Sequence, residues 1–257
     1  MELWSSKYDL EGKVAIVTGA ARGMGEAAAR ALAANGATVI VNDIDIQGAK
    51  RVAQEIVEQN QQALAIQADV SDYQQVTEMV DTVLRKYGRV DILVNNAGVL
   101  RRRRSIEEID GEEWDLVMKV NVKGVFNCSK AVLRAMKQQR RGKIVNISSS
   151  AGRSTSELGG AHYTASKAAV LGLSRHLARE AAPYNINVNA ICPGLIDTPM
   201  VRETTSQEEL EAFRKTIPMG RLGTPEEEAD LVLFLASDAS SYINGATIDL
   251  TGASLLI

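Results

Sequence analysis

The chain has 257 residues, a formal net charge of −3, and 45% apolar, 24% charged and 4% aromatic residues. A slightly acidic protein with few aromatic rings lacks the basic surface and the stacking platforms that nucleic acid requires. No stretch reaches the roughly 18 apolar residues of a membrane span, and the first ten residues hold no secretory apolar segment. We therefore expect a cytoplasmic protein that binds neither nucleic acid nor membrane.

Short apolar runs alternate with longer helical patterns along the chain. The predicted strands are residues 13–18, 37–42, 63–67, 91–94, 143–148, 186–191 and 246–249. The predicted helices are residues 23–35, 46–60, 73–87, 112–139, 163–182 and 225–236. Continuous Val and Ile runs are typical of strands covered on both faces, and strands that alternate with helices predict parallel pairing.

No linker, repeat or low-complexity segment divides this pattern. We therefore predict a single α/β domain over residues 1–257, with a Rossmann-type doubly wound sheet of about seven parallel strands and helices on both faces. Ligands of such a sheet bind at the carboxyl ends of the strands, so the loops that follow the strands are the candidate sites.

The first of these loops is the turn Thr18–Gly25, which reads T-G-A-A-R-G-M-G and opens the first helix. Its glycines allow a tight turn and a close approach of a pyrophosphate, which the helix N-terminus stabilises. The spacing differs from G-x-G-x-x-G, but the position between first strand and first helix favours a dinucleotide site. The predicted cofactor-binding residues here are Gly19, Arg22, Gly23, Met24 and Gly25.

Carboxylates follow the second and third strands. Asp43 is placed to accept hydrogen bonds from the adenosine ribose hydroxyls and to repel a 2′-phosphate, which favours NAD over NADP. Capping of the next helix is the alternative role of Asp43, and NADP stays open because the Arg22 guanidinium suits a 2′-phosphate. Asp69, beside Val70, is predicted to contact the adenine, with helix capping by Asp69 or Ser71 as the alternative.

Five further segments lie in or after later predicted strands and helices. They are Asn95-Asn96-Ala97-Gly98, Asn121, Ile147-Ser148-Ser149 with Ala151-Gly152, Tyr163-Thr164-Ala165-Ser166-Lys167, and Pro193-Gly194. Together with the glycine turn, and in this order, they resemble the short-chain dehydrogenase/reductase family over nearly the whole chain. One departure is Leu250–Ala253, where relatives often carry an acidic residue and paired glycines, which puts a local subunit contact in doubt.

The resemblance implies roles for these residues. The catalytic set would be Asn121, Ser149, Tyr163 and Lys167. The remaining cofactor contacts would be Asn96, Ala97, Gly98, Tyr163, Lys167, Pro193, Gly194, Ile196 and Thr198. In the family the active serine precedes the glycine of its segment by three positions, which selects Ser149, with Ser148 and Ser150 as alternatives.

Tyr163 and Lys167 are four residues apart, so one helix face carries both. We expect the ammonium and an oxidised nicotinamide to lower the pKa of Tyr163, which would then exchange the proton of the reacting oxygen. Ser149 would align that oxygen and stabilise its charge. By resemblance, Lys167 would also hold the nicotinamide ribose, and Asn121 would hold a water that links Lys167 to solvent.

The predicted walls of the substrate pocket are residues 99–105, 151–162 and 195–217, the last of which resembles a mobile lid. Within the first wall, the run Arg101–Arg104 is expected to be a solvated loop or subunit contact, or alternatively to hold an anionic substrate group. The resemblance also implies a homotetramer, formed through helices 112–139 and 163–182.

The sequence has two cysteines, Cys128 and Cys192, and two histidines, and their spacing is not that of metal ligands. No metal is therefore expected. His162 and His176 lack the partners of a hydrolase triad, and we expect both to be structural or, for His162, pocket-lining. The predicted function is NAD-dependent interconversion of a secondary alcohol and a ketone. NADPH-dependent reduction of 3-oxoacyl-[acyl-carrier-protein] is the alternative, and a nucleotide-binding regulator without catalysis is a remote one.

Overall fold

Seven parallel strands form one sheet in the order β3-β2-β1-β4-β5-β6-β7 in the computed structural model, which describes residues 6–102 and 104–257. The strands are β1 (Val14–Thr18), β2 (Thr38–Asp43), β3 (Ala63–Gln67), β4 (Ile92–Asn95), β5 (Gly142–Ile147), β6 (Ile186–Pro193) and β7 (Thr247–Leu250). The strand order reverses between β1 and β4, which opens a crevice at their carboxyl ends. The predicted Rossmann-type sheet is confirmed.

Helices cover both faces of this sheet. They are α1 (Gly23–Ala34), α2 (Ile46–Glu58), α3 (Tyr73–Tyr87), α4 (Gly111–Met118), α5 (Gly124–Gln139), α6 (Ala161–Ala181), α7 (Pro199–Thr204), α8 (Gln207–Thr216) and α9 (Pro225–Ala236). No helix among the described residues is long and apolar enough to cross a bilayer.

The side chains of β1 point alternately to the two faces of the sheet and so contribute to two separate hydrophobic cores. Ala15 and Val17 join one buried cluster with residues of α1, α2 and α9. Val14 and Ile16 join the other with residues of α3, α5 and α6. Successive side chains of a strand point to opposite faces, so each face of the sheet receives its own apolar layer.

The predicted helix over residues 112–139 contains a break. Residues Lys119–Lys123 between α4 and α5 form a π-helical turn, in which the Gly124 N–H donates to the Lys119 carbonyl. A Cβ on Gly124 would lie 2.7 Å from Val70 Cγ2, so a glycine is needed where this helix crosses the loop after β3. The turn carries Asn121, in keeping with the frequent occurrence of π-turns at functional sites.

One buried carboxyl group, that of Glu228, has no hydrogen-bond partner among the described residues, and this gives a testable prediction. Glu228 in α9 is 1% exposed, and neither of its carboxyl oxygens has a hydrogen-bond partner among the described residues. Burial raises the pKa of Glu228 from its ordinary 4.5 to about 8. Ionisation of Glu228 therefore does not lower the free energy of unfolding below about pH 4.5. The loss in that free energy grows as pH rises and reaches its full size above about pH 8.

We expect Glu228→Met to raise the free energy of unfolding at every pH at which Glu228 would be ionised. The gain at pH 7 should exceed the gain in acid by on the order of 3 kcal/mol. Urea unfolding at pH 5 and pH 8 measures the gain, which should be larger at pH 8. The exposed neighbour Glu226 supplies the matched control, since Glu226→Met should give no such pH-dependent difference. Equal gains for Glu228→Met at both pH values would contradict the burial argument.

Candidate active site

The turn after β1 is shaped by three glycines. Gly19 and Gly23 both have φ of +62°, a region that glycine adopts without strain. A Cβ on Gly25 would overlap the Gly19 carbonyl oxygen and Asn96 Nδ2. The backbone therefore forms a tight cradle at the N-terminus of α1, which fits the pyrophosphate of a dinucleotide.

Asn96 fastens this cradle to the neighbouring strand. Its Nδ2 donates to the carbonyls of Thr18 and Gly19 at 3.0 and 2.9 Å. Thr18 Oγ1 in turn accepts hydrogen bonds from the N–H groups of Asn96 and Ala97, each at 3.1 Å. Thr18 was not predicted as a site residue, although the sequence places it first in the glycine motif.

Asp43 ends β2 beside the cradle. Its Oδ2 accepts a hydrogen bond from the Ala21 N–H at 3.0 Å, and Oδ1 accepts one from the Asp45 N–H. The cap of α2 is Asp45, which accepts from the N–H groups of Gln47 and Gly48. The alternative in which Asp43 caps that helix is therefore wrong, and its carboxylate remains at the edge of the cradle.

The guanidinium groups near this edge already have acidic partners. Arg22, which precedes α1, forms an ion pair of 2.5 Å with Glu203 of α7. Arg51 of α2 donates to the Ala21 carbonyl at 2.9 Å and pairs with Glu26 at 2.8 Å. Arg22 would have to release Glu203 before it could bind a 2′-phosphate.

The loop after β3 places the other predicted adenosine contacts. Asp69 Oδ1 accepts from the Ser71 N–H at 2.8 Å, and the Val70 carbonyl accepts from Asn127 Nδ2 at 2.9 Å. The cap of α3 is Asp72, which accepts from two N–H groups of the first turn. Capping of α3 by Asp69 or Ser71 is therefore wrong.

Two of the three consecutive serines after β5, Ser148 and Ser149, have different environments. Ser148 is 3% exposed, and its hydroxyl donates to the Lys167 carbonyl at 2.8 Å. Ser149 Oγ accepts from the Ala151 N–H at 3.1 Å, and Ser149 lines the same cavity as Tyr163. Ser149 therefore lies near the Tyr163 phenol, in agreement with the register counted from Gly152.

Tyr163 and Lys167 face each other on α6. Lys167 Nζ lies 5.7 Å from the centre of the Tyr163 ring and donates to the Ile147 carbonyl at 2.9 Å. Burial raises the pKa of Tyr163 to about 12, an effect that the nearby Ser149 hydroxyl only partly offsets. Burial also lowers the pKa of Lys167 to about 8.

In the protein alone, burial outweighs any effect of the ammonium on the pKa of Tyr163, and the lowering expected together with an oxidised nicotinamide stays a prediction. Burial disfavours the charged form of each group, phenolate and ammonium alike. In the protein alone, Tyr163 is a neutral phenol at pH 7. That state can donate a proton to a carbonyl oxygen without further change.

Asn121 ties the cofactor loop to α6. Its side-chain amide accepts from the Val99 N–H at 2.8 Å and donates to the Val99 carbonyl and to Ser166 Oγ, each at 3.0 Å. A Cβ on Gly98 would lie 3.3 Å from Asn121 Oδ1 and 3.6 Å from Lys167 Nζ, so both groups face this glycine. The water relay assigned to Asn121 stays a prediction.

A cavity of about 230 Å³ lies beside Ser149 and Tyr163. Seven predicted site residues share its wall, namely Met24, Ser149, Tyr163, Pro193, Gly194, Ile196 and Thr198. Gly23 connects this wall to the cradle, because a Cβ there would lie 3.7 Å from Thr198. Thr198 also caps α7, and Ile196 pairs with Gly223 through the backbone.

The remaining cavity wall comes from several segments of the chain. One part is formed by Leu100 and residues 154–158. Another part is formed by the predicted lid, through Met200 and Val201 of α7 and through Thr216 and Ile217. Ser254 and Leu255 close the cavity from the C-terminal segment, which was not predicted. No sequence motif marks that segment, whose position follows from the turn after β7.

The arginine run lies outside this wall. Arg101, Arg102 and Arg104 are exposed, and Arg103 falls outside the described residues. Arg102 pairs with Glu209 of α8 at 2.9 Å, and Arg104 lies 3.7 Å from Glu113 of α4. No lysine, arginine or histidine among the described residues lines the cavity. The arrangement agrees with a solvated loop and gives no support to an anion site.

Comparisons with known proteins point in the same direction. A family model described as enoyl-(acyl carrier protein) reductase matches residues 19–252. The 3-oxoacyl-[acyl-carrier-protein] reductase FabG of Thermotoga maritima is 43% identical over 247 residues, which cover 96% of this chain and 99% of that protein.

Solved structures agree with the sequence relatives. A short-chain type dehydrogenase/reductase from Mycobacterium marinum has a TM-score of 0.93 at 37% identity, with 98% of this chain and 99% of that chain covered. A gluconate 5-dehydrogenase from Burkholderia cenocepacia, in complex with NADP and tartrate, has a TM-score of 0.92 at 33% identity, with 98% of each chain covered. The chain therefore belongs to the short-chain dehydrogenase/reductase family, oxidoreductases that act on CH–OH and carbonyl groups with NAD or NADP.

Proposed function

We propose that the protein interconverts a secondary alcohol and a ketone with NAD, and that Tyr163 is the acid/base. The observation that carries this proposal is the convergence of Ser149, Tyr163 and Lys167 next to the glycine cradle, where Ser149 and Tyr163 line a cavity of about 230 Å³ and Lys167 lies directly behind the Tyr163 ring. A bound nicotinamide supplies or accepts the hydride. The protein residues manage the proton and the position of the reacting oxygen.

In the direction of reduction, the Tyr163 phenol donates its proton to the carbonyl oxygen, which becomes the alcohol. Ser149 donates a hydrogen bond to the same oxygen and stabilises the negative charge that develops there. Lys167 is positively charged below its pKa of about 8, and its charge stabilises the phenolate left on Tyr163. In the direction of oxidation the proton moves the opposite way, so the rate should rise with pH.

The preference for NAD rests on the charges around the cradle. The Asp43 carboxylate stands at its edge, while Arg22 and Arg51 are held by glutamates. A 2′-phosphate placed there would meet a negative charge without a free guanidinium to compensate for it. NAD carries two ribose hydroxyls instead, which can donate to that carboxylate.

We expect Asp43→Asn to raise kcat/KM for NADP about tenfold and to lower kcat/KM for NAD by a similar factor. The amide oxygen of asparagine can still accept from Ala21, so the turn should keep its shape. Steady-state kinetics with both cofactors measure the change. Asp45→Asn, at the neighbouring helix cap, is the control and should leave the ratio between the cofactors unaltered.

The second candidate is reduction of a 3-oxoacyl group carried by acyl carrier protein. It is favoured by the 43% identical FabG of Thermotoga maritima, which matches this chain over nearly its full length. The cavity wall holds nine serines and threonines, with Glu157 as its only carboxylate and no cation among the described residues. Such a wall suits an uncharged carbonyl compound, and a 3-oxoacyl thioester meets that condition as a simple ketone does.

A substrate screen with NAD(H) and NADP(H) tests both candidates. The panel should hold steroids, sugars, polyols, hydroxy acids and their neutral esters, and 3-oxoacyl thioesters. We expect turnover of neutral substrates with NAD(H), and weaker turnover of free acids than of their esters. Turnover confined to 3-oxoacyl thioesters with NADPH would establish the second candidate and overturn the NAD preference.

Membership of an oxidoreductase family leaves the non-catalytic regulator without support. The homotetramer, the cytoplasmic location and the movement of α7 and α8 as a lid stay predictions.

A further inference from the structure

The N-terminus of α6, which carries Tyr163, is fastened in an unusual way. Its cap residue, Gly160, has no side chain to accept the free N–H groups of the first turn. His162 takes that role, because its Nδ1 accepts the Tyr163 N–H at 2.7 Å, closer than the Gly160 carbonyl at 3.1 Å. The imidazole is 0% exposed.

The second ring nitrogen is bound just as firmly. His162 Nε2 lies 2.9 Å from Glu113 Oε1 in α4. Nδ1 faces an N–H donor and must therefore present its lone pair, so the proton of the neutral ring resides on Nε2 and is donated to the Glu113 carboxylate. The geometry fixes the tautomer, and the carboxylate fixes the orientation of the ring.

The surrounding backbone leaves the two aromatic rings little freedom. A Cβ on Gly160 would lie 2.9 Å from His162 Cε1, and a Cβ on Gly159 would lie 2.9 Å from the Tyr163 ring. Both glycines are thus needed to admit the rings. His162 does not line the substrate cavity, which removes the pocket-lining role considered for it.

We propose that His162, oriented by Glu113, is a positioning residue that holds the first turn of α6 and thereby keeps the Tyr163 phenol against Ser149. The inference deepens the proposed function and rests on Tyr163 as acid/base. A shift of the turn by about 1 Å would misalign the phenol and the reacting oxygen, and displacements of that size lower rates by up to about 10²-fold.

Three substitutions separate the two hydrogen bonds of the ring. Asparagine places an acceptor at the same distance from the backbone as Nδ1 but cannot reach Glu113. Glutamine can reach Glu113 but offers no acceptor in the Nδ1 position, and alanine removes both bonds. His176→Ala is the matched control, because this histidine of the same helix is 81% exposed.

We expect His162→Ala and His162→Gln to lower kcat about tenfold or more with unchanged KM for NAD, and His162→Asn to recover kcat to within about threefold. Hydrogen exchange of the Tyr163 amide, followed by NMR, gives a readout independent of activity. It should accelerate in the alanine and glutamine proteins and stay slow in the asparagine protein. If the alanine protein does not fold, the comparison of asparagine with glutamine carries the test.

Wild-type kcat in the glutamine protein, or equal losses in the asparagine and glutamine proteins, would overturn the positioning role. Failure of the proposed function looks different, because the Tyr163→Phe protein would then retain turnover. In that case the amide exchange rates still decide whether His162 holds the turn.

Discussion

The Tyr163→Phe protein is expected to lose about 10³-fold in kcat while it binds NAD as tightly as the wild type. Phenylalanine keeps the ring that packs beside Gly159 but removes the hydroxyl from the cavity wall that Tyr163 shares with Ser149. The hydride can still be delivered, but no group remains to exchange the proton of the reacting oxygen. Single-turnover measurements, with cofactor binding followed by fluorescence, separate the two effects.

A surface tyrosine provides the control for this substitution. Tyr242 is fully exposed, so Tyr242→Phe should leave kcat and cofactor binding at wild-type values. Ser149→Ala should fall between the two, with a loss of about 10²-fold, because the phenol can still transfer its proton to a less well stabilised oxygen. A loss of less than about tenfold in the Tyr163→Phe protein would contradict an acid/base role.

The second large effect is expected at the glycine cradle. Gly25→Ala would drive a methyl group into the Gly19 carbonyl and the Asn96 amide, so the turn has to open. The two hydrogen bonds from Asn96 Nδ2 would then be lost or lengthened, and the N-terminus of α1 would no longer meet the pyrophosphate closely. We expect affinity for NAD to fall by about 10²-fold or more, measured by calorimetric titration.

Gly111→Ala is the matched glycine control. Gly111 is the exposed first residue of α4, and a Cβ placed on it meets no atom within 4 Å. Alanine there should leave cofactor affinity unchanged and raise helix stability slightly. Wild-type affinity in the Gly25→Ala protein would show that the dinucleotide does not use this cradle.

Most of the fold could be predicted from the sequence because its signals are local and repeated. Apolar runs, such as the Val14–Thr18 strand, are bounded by glycines and polar turns, and every predicted strand is present within about two residues of its predicted ends. The π-turn of Lys119–Lys123 was not predicted, because its residues fit an α-helix equally well. The π-turn is followed directly by the tight crossing of Gly124 over Val70, a contact between segments distant in sequence.

Within the site, the motifs located the groups but not their environments. Asp43 and Asp45 are indistinguishable as helix caps in the sequence, and only the backbone geometry assigns the cap to Asp45. Burial raises the pKa of Tyr163 in the protein alone, an effect that the sequence does not reveal because the depth of burial depends on the whole fold. The pairing of Arg22 with Glu203 likewise joins residues that are far apart along the chain.

The environments of the two histidines could not be predicted from the sequence either. His162 and His176 lie on one helix, and the sequence offers no reason to treat them differently. The structure buries the first between α4 and α6 and leaves the second in solvent. A hydrogen-bond partner on another element, Glu113, is what distinguishes them.

The most direct test of the central claim is an ultraviolet titration of the Tyr163 phenol, obtained as the difference between wild type and Tyr163→Phe, with and without NAD. Without cofactor, the phenolate absorption of Tyr163 should appear only near pH 12. With oxidised NAD bound, its positive ring and the Lys167 ammonium should bring that absorption toward neutral pH. A titration that NAD leaves unchanged would contradict the placement of this phenol beside the reacting centre.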